Sequence, residues 1–184
     1  MATLPKTRLV TYEEWLEMPQ SEGREEVVDG EIVQMPPAKD LHMRVLEKLV
    51  RVFLRQLDEA QYHVFFGSYG LVIRTNPLTC REPDVAVFER ARLVEKDGYY
   101  HSAPQLAIEI LSPSETRRMT AEKLRDYESI GTPEAWVLSP EGATVEVLQL
   151  VDGRLRTTSV LTEGILKSRE FPHVQVDIAQ IWPD

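Results

Sequence analysis

The segment Gln105-Leu-Ala-Ile-Glu109-Ile-Leu111-Ser-Pro113 leaves this chain few options. An apolar run of that length, ended by a Ser-Pro stop, reads as a buried strand, yet a carboxylate stands inside it. Burying an ionised carboxylate is costly unless a cation or hydrogen bonds compensate it. Glu109 therefore demands a partner, and a divalent metal is an economical one. Beyond Pro113 an amphipathic pattern predicts a helix from about Thr116 to Ile130, closed by the stop signal Gly131-Thr132-Pro133. Lys123 lies four residues from both Met119 and Tyr127 and beside Leu124, on the margin of that helix's buried face.

Strand alternation sorts the remaining acids by face. Ala107, Glu109 and Leu111 share one side of their strand, with Leu106, Ile108 and Ile110 on the other. In an earlier strand Glu82, Asp84, Ala86 and Phe88 share a side, opposite Val85 and Val87. Each acid has an alanine as its neighbour on that side. If the two strands are adjacent, Asp84 and Glu109 converge in a small pocket, and Mg²⁺ or Mn²⁺ between them relieves their repulsion. A lysine ammonium aimed at this point can orient a water and offset developing negative charge.

Around this centre the chain reads as a mixture of strands, helices and hairpins. Thr11 with Glu14 predicts a short helix stopping before Pro19. Arg24 to Met35 predicts a hairpin turning at Asp29-Gly30. Asp40 is placed to cap a long helix reaching about Ala60, with Leu41, Val45, Leu49, Val52, Phe53 and Leu57 as its apolar series. Arg44, Lys48, Arg51 and Arg55 on that helix form either a solvated face or a nucleic-acid contact. Strands are expected over Tyr62–Phe66, Tyr69–Arg74, Asp84–Phe88, Leu106–Leu111 and Ala135–Leu138, the first two spaced as a hairpin by Gly67-Ser68. A second hairpin turns at Asp152-Gly153, and a short strand and a helical turn close the chain. This order predicts an α/β or α+β fold with one central sheet.

At 184 residues the chain suits a single domain spanning 1–184. No apolar run is long enough to cross a membrane, and Met1–Arg8 has no apolar leader. The lone Cys80 excludes an internal disulfide and any multi-cysteine metal site, so a cytoplasmic location is expected. A net charge of −9 gives no general attraction for nucleic acid. His42, His63, His101 and His173 lack metal-ligand spacing. His42 can pack, cap, or approach Glu26. Arg117 and Arg118 are candidate phosphate anchors.

In this order, Pro83-Asp84, then Glu109 in an apolar strand, then a lysine, resembles the PD-(D/E)XK nuclease superfamily. More narrowly, the chain is similar to the bacterial Uma-two family of restriction endonucleases over nearly its whole length. The shared pattern includes Glu26-Val27-Val28-Asp29-Gly30-Glu31, His42 opening the long helix, Pro83-Asp84-Val85 and Glu109-Ile110-Leu111-Ser112-Pro113-Ser114. It continues through Glu122-Lys123-Leu124 with Tyr127 to Gly131-Thr132-Pro133-Glu134-Ala135-Trp136-Val137. The resemblance implies a restriction-endonuclease-like α/β core, a central mixed β-sheet flanked by helices, with additional β-hairpins. It implies a metal-dependent endonuclease acting on DNA, with Mg²⁺ or Mn²⁺ held by Asp84, Glu109 and the backbone carbonyl of Ile110, and with Glu26 at the edge of the site. The superfamily's lysine stands two residues after the acid, where this chain has Leu111, so Lys123 is implied to supply the amine from the next helix. Met119 replaces an acid that relatives often carry.

A rival expectation is a catalytically silent nuclease-fold protein acting as a DNA- or protein-binding or assembly module, which the net charge and Met119 favour. One active centre per copy and two strands to cut suit a homodimer or higher homo-oligomer.

Overall fold

A computed structural model describes residues 9–19, 23–113 and 116–183. The expectation for Met1–Arg8 and the motif residue Ser114 lie outside the described residues. Thr11 caps α1 (Tyr12–Glu17) through a complete capping box, its hydroxyl accepting from Glu14 N while Glu14 accepts from Thr11 N at 3.1 Å. The first hairpin joins β1 (Glu25–Val28) to β2 (Glu31–Gln34). Asp29 and Gly30 adopt φ of 52° and 83°, the positive pair that a type I′ turn requires.

The long helix, α2 (Asp40–Gln56), is shorter than its periodicity suggests and is not capped by Asp40. Lys39 occupies the cap position without a side-chain bond, and Asp40 pairs with Arg44 instead at 2.8 Å. Its buried face is His42, Val45, Leu46, Leu49, Val50 and Phe53, while Leu41 is exposed. Arg51 pairs with Glu47 on the solvated side, and Lys48 donates to the Trp182 carbonyl at 2.6 Å.

Strands β3 (Tyr62–Phe66), β4 (Leu71–Thr75), β5 (Leu78–Arg81) and β6 (Val85–Glu89) follow, then the short β7 (Glu95–Lys96) and β8 (Tyr99–Tyr100). After β9 (Leu106–Ile110) come α3 (Arg117–Ser129) and β10 (Glu134–Ser139). The chain ends through β11 (Thr144–Val151), β12 (Arg154–Leu161), β13 (Ile165–Lys167), β14 (Gln175–Asp177) and α4 (Ile178–Ile181). The central mixed sheet has the order β12-β11-β10-β9-β6-β3, with β9 and β10 parallel across α3. The pairs β1–β2, β4–β5 and β7–β8 gather into a second sheet, β2-β1-β5-β4-β8-β7, and β13 pairs with β14.

One expectation about strand pairing fails here. The strands on either side of Gly67-Ser68 do not pair: β3 lies beside β6 in the central sheet, whereas β4 belongs to the second. The partner of β4 is β5, reached through a turn with a cis Asn76–Pro77 bond. The Gly67–Gly70 link thus carries the chain between sheets.

The central sheet has two unlike faces. Val85, Val87, Leu106, Ile108, Ile110, Trp136 and Leu138 pack under α2 and α4 in the larger core. On the opposite face Ala86, Phe88 and Ala107 meet Leu71 and Tyr127. The two alanines leave space there for the acids two residues away on the same face, Asp84 before Ala86 and Glu109 after Ala107. At the far end Glu134, wholly buried, accepts from Trp136 Nε1 at 2.7 Å, Ser168 Oγ at 2.8 Å, Arg169 N at 2.9 Å and Glu170 N at 3.1 Å. A carboxylate with this many donors is satisfied without a counter-ion, and it ties the C-terminal segment to β10.

Candidate active site

The ladder between β6 and β9 pairs Val85 with Ile108 and Ala86 with Ala107. Extending it one step sets Asp84 opposite Glu109, on the alanine face. Both are buried, 5% and 2% exposed. The Ile110 N–H donates to Asp84 Oδ2 at 2.7 Å, whereas Leu111 N turns to the Leu138 carbonyl on β10. Because N–H and C=O of one strand residue share an edge, the Ile110 carbonyl lies on the Asp84 side.

α3 delivers Lys123 to the same point. Its ammonium, on a residue 3% exposed, lies 2.8 Å from Glu109 Oε2 and 3.2 Å from Glu26 Oε1. One turn on, the Tyr127 hydroxyl donates to Glu109 Oε1. β1 brings Glu26, whose other oxygen is 2.8 Å from Arg81 Nη1 on β5. Arg81 in turn binds Asp126 at 2.7 Å. Asp84 Oδ1 meets His42 Nε2 at 3.2 Å and Arg24 Nη1 at 3.4 Å, and Arg24 reaches Glu82 at 3.1 Å. The Tyr69 ring packs against Phe65 and Tyr100, and its buried hydroxyl, within the field of Glu109 and Asp84, has no hydrogen-bond partner among the described residues.

The structure thus brings Glu26, Asp84, Glu109, Lys123 and the Ile110 backbone together. It adds Arg24, Arg81, Asp126 and Tyr69, which no local pattern marks, because their partners are distant in sequence: Arg81 is 55 positions from Glu26 and Arg24 is 60 from Asp84. It also resolves His42, which contacts Asp84 rather than Glu26. Arg118 pairs with Glu122 on the exposed side of α3 at 2.8 Å.

Burial pushes the Glu109 carboxyl up to about 7; Lys123 opposes that rise, while Asp84 and Glu26 add to it. Burial acts in the same direction on Asp84 and Glu26. For Asp84, however, His42, Lys123 and the Ile110 N–H win, and for Glu26 Lys123 and Arg81 win, holding both below the usual carboxylate range. The buried Lys123 is held protonated, since Glu109, Glu26 and Asp84 outweigh its desolvation.

The connected carboxylates of Glu26, Asp29, Glu82, Asp84, Glu109 and Asp126 outnumber the cations Arg24, Arg74, Arg81 and Lys123, an excess of negative charge while His42 is neutral and Glu109 ionised. Among the described residues no three His, Cys, Asp or Glu side chains group closely enough to hold a metal ion by themselves. The donors available at Asp84, Glu109 and Ile110 are hard oxygens, and the surplus charge is negative. Both properties fit a hard divalent cation that keeps several of its waters. A recess of about 30 Å³, lined by His42, Asp84, Ser112 and Lys123 among others, opens over this point.

A mixed sheet with converging acids on one face and a lysine from the crossover helix defines a restriction-endonuclease-like α/β protein. The chain belongs to the Uma2 family, described as "Putative restriction endonuclease", whose pattern matches residues 12–179. It is similar in fold to the crystal structure of a "putative nuclease" from Anabaena variabilis, with a TM-score of 0.78 and 22% identity over 94% of this chain and 97% of that one. No curated protein matches the chain. Among the described residues no helix is long and apolar enough to cross a membrane.

Proposed function

We propose that this protein is a metal-dependent endonuclease hydrolysing phosphodiester bonds of DNA. The observation that carries the reading is the ammonium of Lys123 buried between Glu109 and Glu26, with Asp84 facing Glu109 across the ladder. Asp84, Glu109 and the Ile110 carbonyl would hold Mg²⁺ or Mn²⁺. The chemistry a cation held by these residues would supply is polarisation of a phosphoryl oxygen and activation of water.

The chain's own groups do the rest. Lys123 presents a fixed positive charge where negative charge develops on the phosphate. Glu26 keeps that ammonium aimed and protonated, and Arg81 keeps Glu26 ionised. Tyr127 fixes the Glu109 carboxylate through its second oxygen. His42 and Arg24 hold Asp84 Oδ1, leaving its orientation little freedom.

Purified protein incubated with supercoiled plasmid and Mg²⁺ or Mn²⁺ tests the reading. Nicking that stops in Glu109→Ala and Lys123→Ala supports it; nicking that continues unchanged in both dismisses it.

One observation favours a second reading, a catalytically silent binding or assembly module. Glu109 is matched by Lys123 and Tyr127, and Asp84 by Arg24, His42 and the Ile110 N–H, all within the protein. Calorimetric titration with Mn²⁺ separates the two, because a chain with no divalent-ion affinity that Glu109→Ala can abolish cannot run the first mechanism.

A further inference from the structure

A cleft of about 570 Å³ opens between the β1–β2 hairpin and α3, with Lys123 in its lining. The two cavities share Lys123 and Met35. The smaller has room for about one water or ion, whereas the larger falls in the range of roughly 300–1,000 Å³ that takes a small organic ligand. Because both are lined by Lys123, a phosphate at the mouth of the recess, which itself admits only a water or an ion, can have its neighbouring nucleoside in the cleft.

The walls suit a flat aromatic ring. Val28 and Val33 lie on one face of the hairpin, with Met35 beyond them, and Met119 lines the cleft from α3. Methionine is a polarisable surface against which an aromatic ring packs well. The charges at the edge largely cancel: Asp29 pairs with Arg74, Glu122 with Arg118 and Asp126 with Arg81, and the further carboxylate of Glu31 is balanced in number by Arg125. Arg125, exposed on α3, lines the cleft as well. A neutral, partly apolar slot recruits a base better than it recruits a run of phosphates. A base in duplex DNA reaches such a slot only after being extruded from its stack.

We infer that this cleft seats one unpaired nucleotide of the strand whose phosphate lies beside Lys123, and that the protein prefers single-stranded or locally opened DNA to intact duplex. The inference rests on the nuclease reading for the identity of the polymer and adds its strandedness. It also bears on assembly, because a single strand needs one centre and not a pair.

Fluorescence anisotropy with labelled oligo-dT and with a blunt duplex of equal length, in Ca²⁺ to limit turnover, tests it. Oligo-dT is expected to bind about tenfold more tightly than duplex, in line with the contribution of one stacked base. Met119→Asp should erase most of that difference and Met119→Leu should restore it. Arg125→Glu, a surface change that leaves the core untouched, should weaken oligo-dT binding a few-fold. With few phosphates contacted, the slope of log affinity against log salt should stay shallow, about −1 to −2. Equal affinity for duplex and single strand, or oligo-dT binding indifferent to Met119→Asp and Arg125→Glu, overturns the inference. Strand preference without any divalent-dependent cleavage would leave the cleft standing and remove the nuclease reading; cleavage without preference would do the reverse.

Discussion

Asp84 and Glu109 stand opposite one another one step beyond the Val85–Ile108 pair, and the residue after Glu109 donates its N–H to Asp84 at 2.7 Å. Two carboxylates at that register are tolerated because each is held from a different direction, Glu109 by Lys123 and Tyr127, Asp84 by Arg24 and His42. The compensation is ionic, buried and distributed over both sheets and α3, so its removal should be felt in stability as well as in chemistry.

Lys123→Met leaves Glu26 and Glu109 facing each other without their shared cation. Removing one partner of a buried pair costs about 3–5 kcal/mol, and urea unfolding followed by tryptophan fluorescence should show a loss of that size. Adding Glu109→Gln should cost less than the two single changes summed, since the second removes a charge that the first leaves stranded.

Acid should act through Glu26. Its folded pKa is depressed: burial would raise it, but Lys123 and Arg81 outweigh burial. The unfolded chain therefore binds a proton there before the folded one does. The stabilisation is present in full above the ordinary carboxylate value and is lost as pH falls through the lower folded value. Denaturant midpoints from pH 7 down to pH 3 should fall less steeply in Glu26→Gln than in the parent, from a lower starting point.

The two tyrosines near Glu109 should respond in opposite ways to loss of their hydroxyls. Tyr127→Phe deletes a donor to a buried carboxylate and should cost about 1–3 kcal/mol. Tyr69→Phe deletes a buried hydroxyl that has no partner among the described residues, so it should be neutral or stabilise by up to about 1 kcal/mol. Paired thermal melts of the two variants check the contrast.

Cys80 should be inert in the folded protein. It is buried on β5, and burial pushes its thiol up to about 12, so almost no thiolate exists at neutral pH. A colorimetric thiol reagent should titrate the cysteine only after denaturant is added.

How far the sequence carries depends on the range of the interaction. Thr11 with Glu14, and the positive-φ pairs at Asp29-Gly30 and Asp152-Gly153, are decided within a few residues and were legible as such. The two-residue alternation that separates Ala86 and Ala107 from Val85 and Ile108 also sorts the acids by face without help from tertiary structure. The four-residue β5 is different: Leu78 to Arg81 are all buried, but so short a run after Asn76-Pro77 has no periodicity to read. With β5 hidden, Arg81 and its bonds to Glu26 and Asp126 were hidden too. Asp40 has the right side chain for a cap, yet the helix begins one residue earlier in register and Arg44 takes its charge.

Carrying the amine on α3 instead of on β9 changes what mutation can do to this centre. A strand-borne side chain keeps its facing only when displaced by two residues, and each such step moves it by more than 6 Å along the strand. On a helix, seats three or four residues away point the same way at a spacing of one turn. Thr120 and Tyr127 flank Lys123 at those intervals. A lineage could move its lysine along this rail, with compensating changes beneath it, and keep the strand that bears Glu109 unaltered.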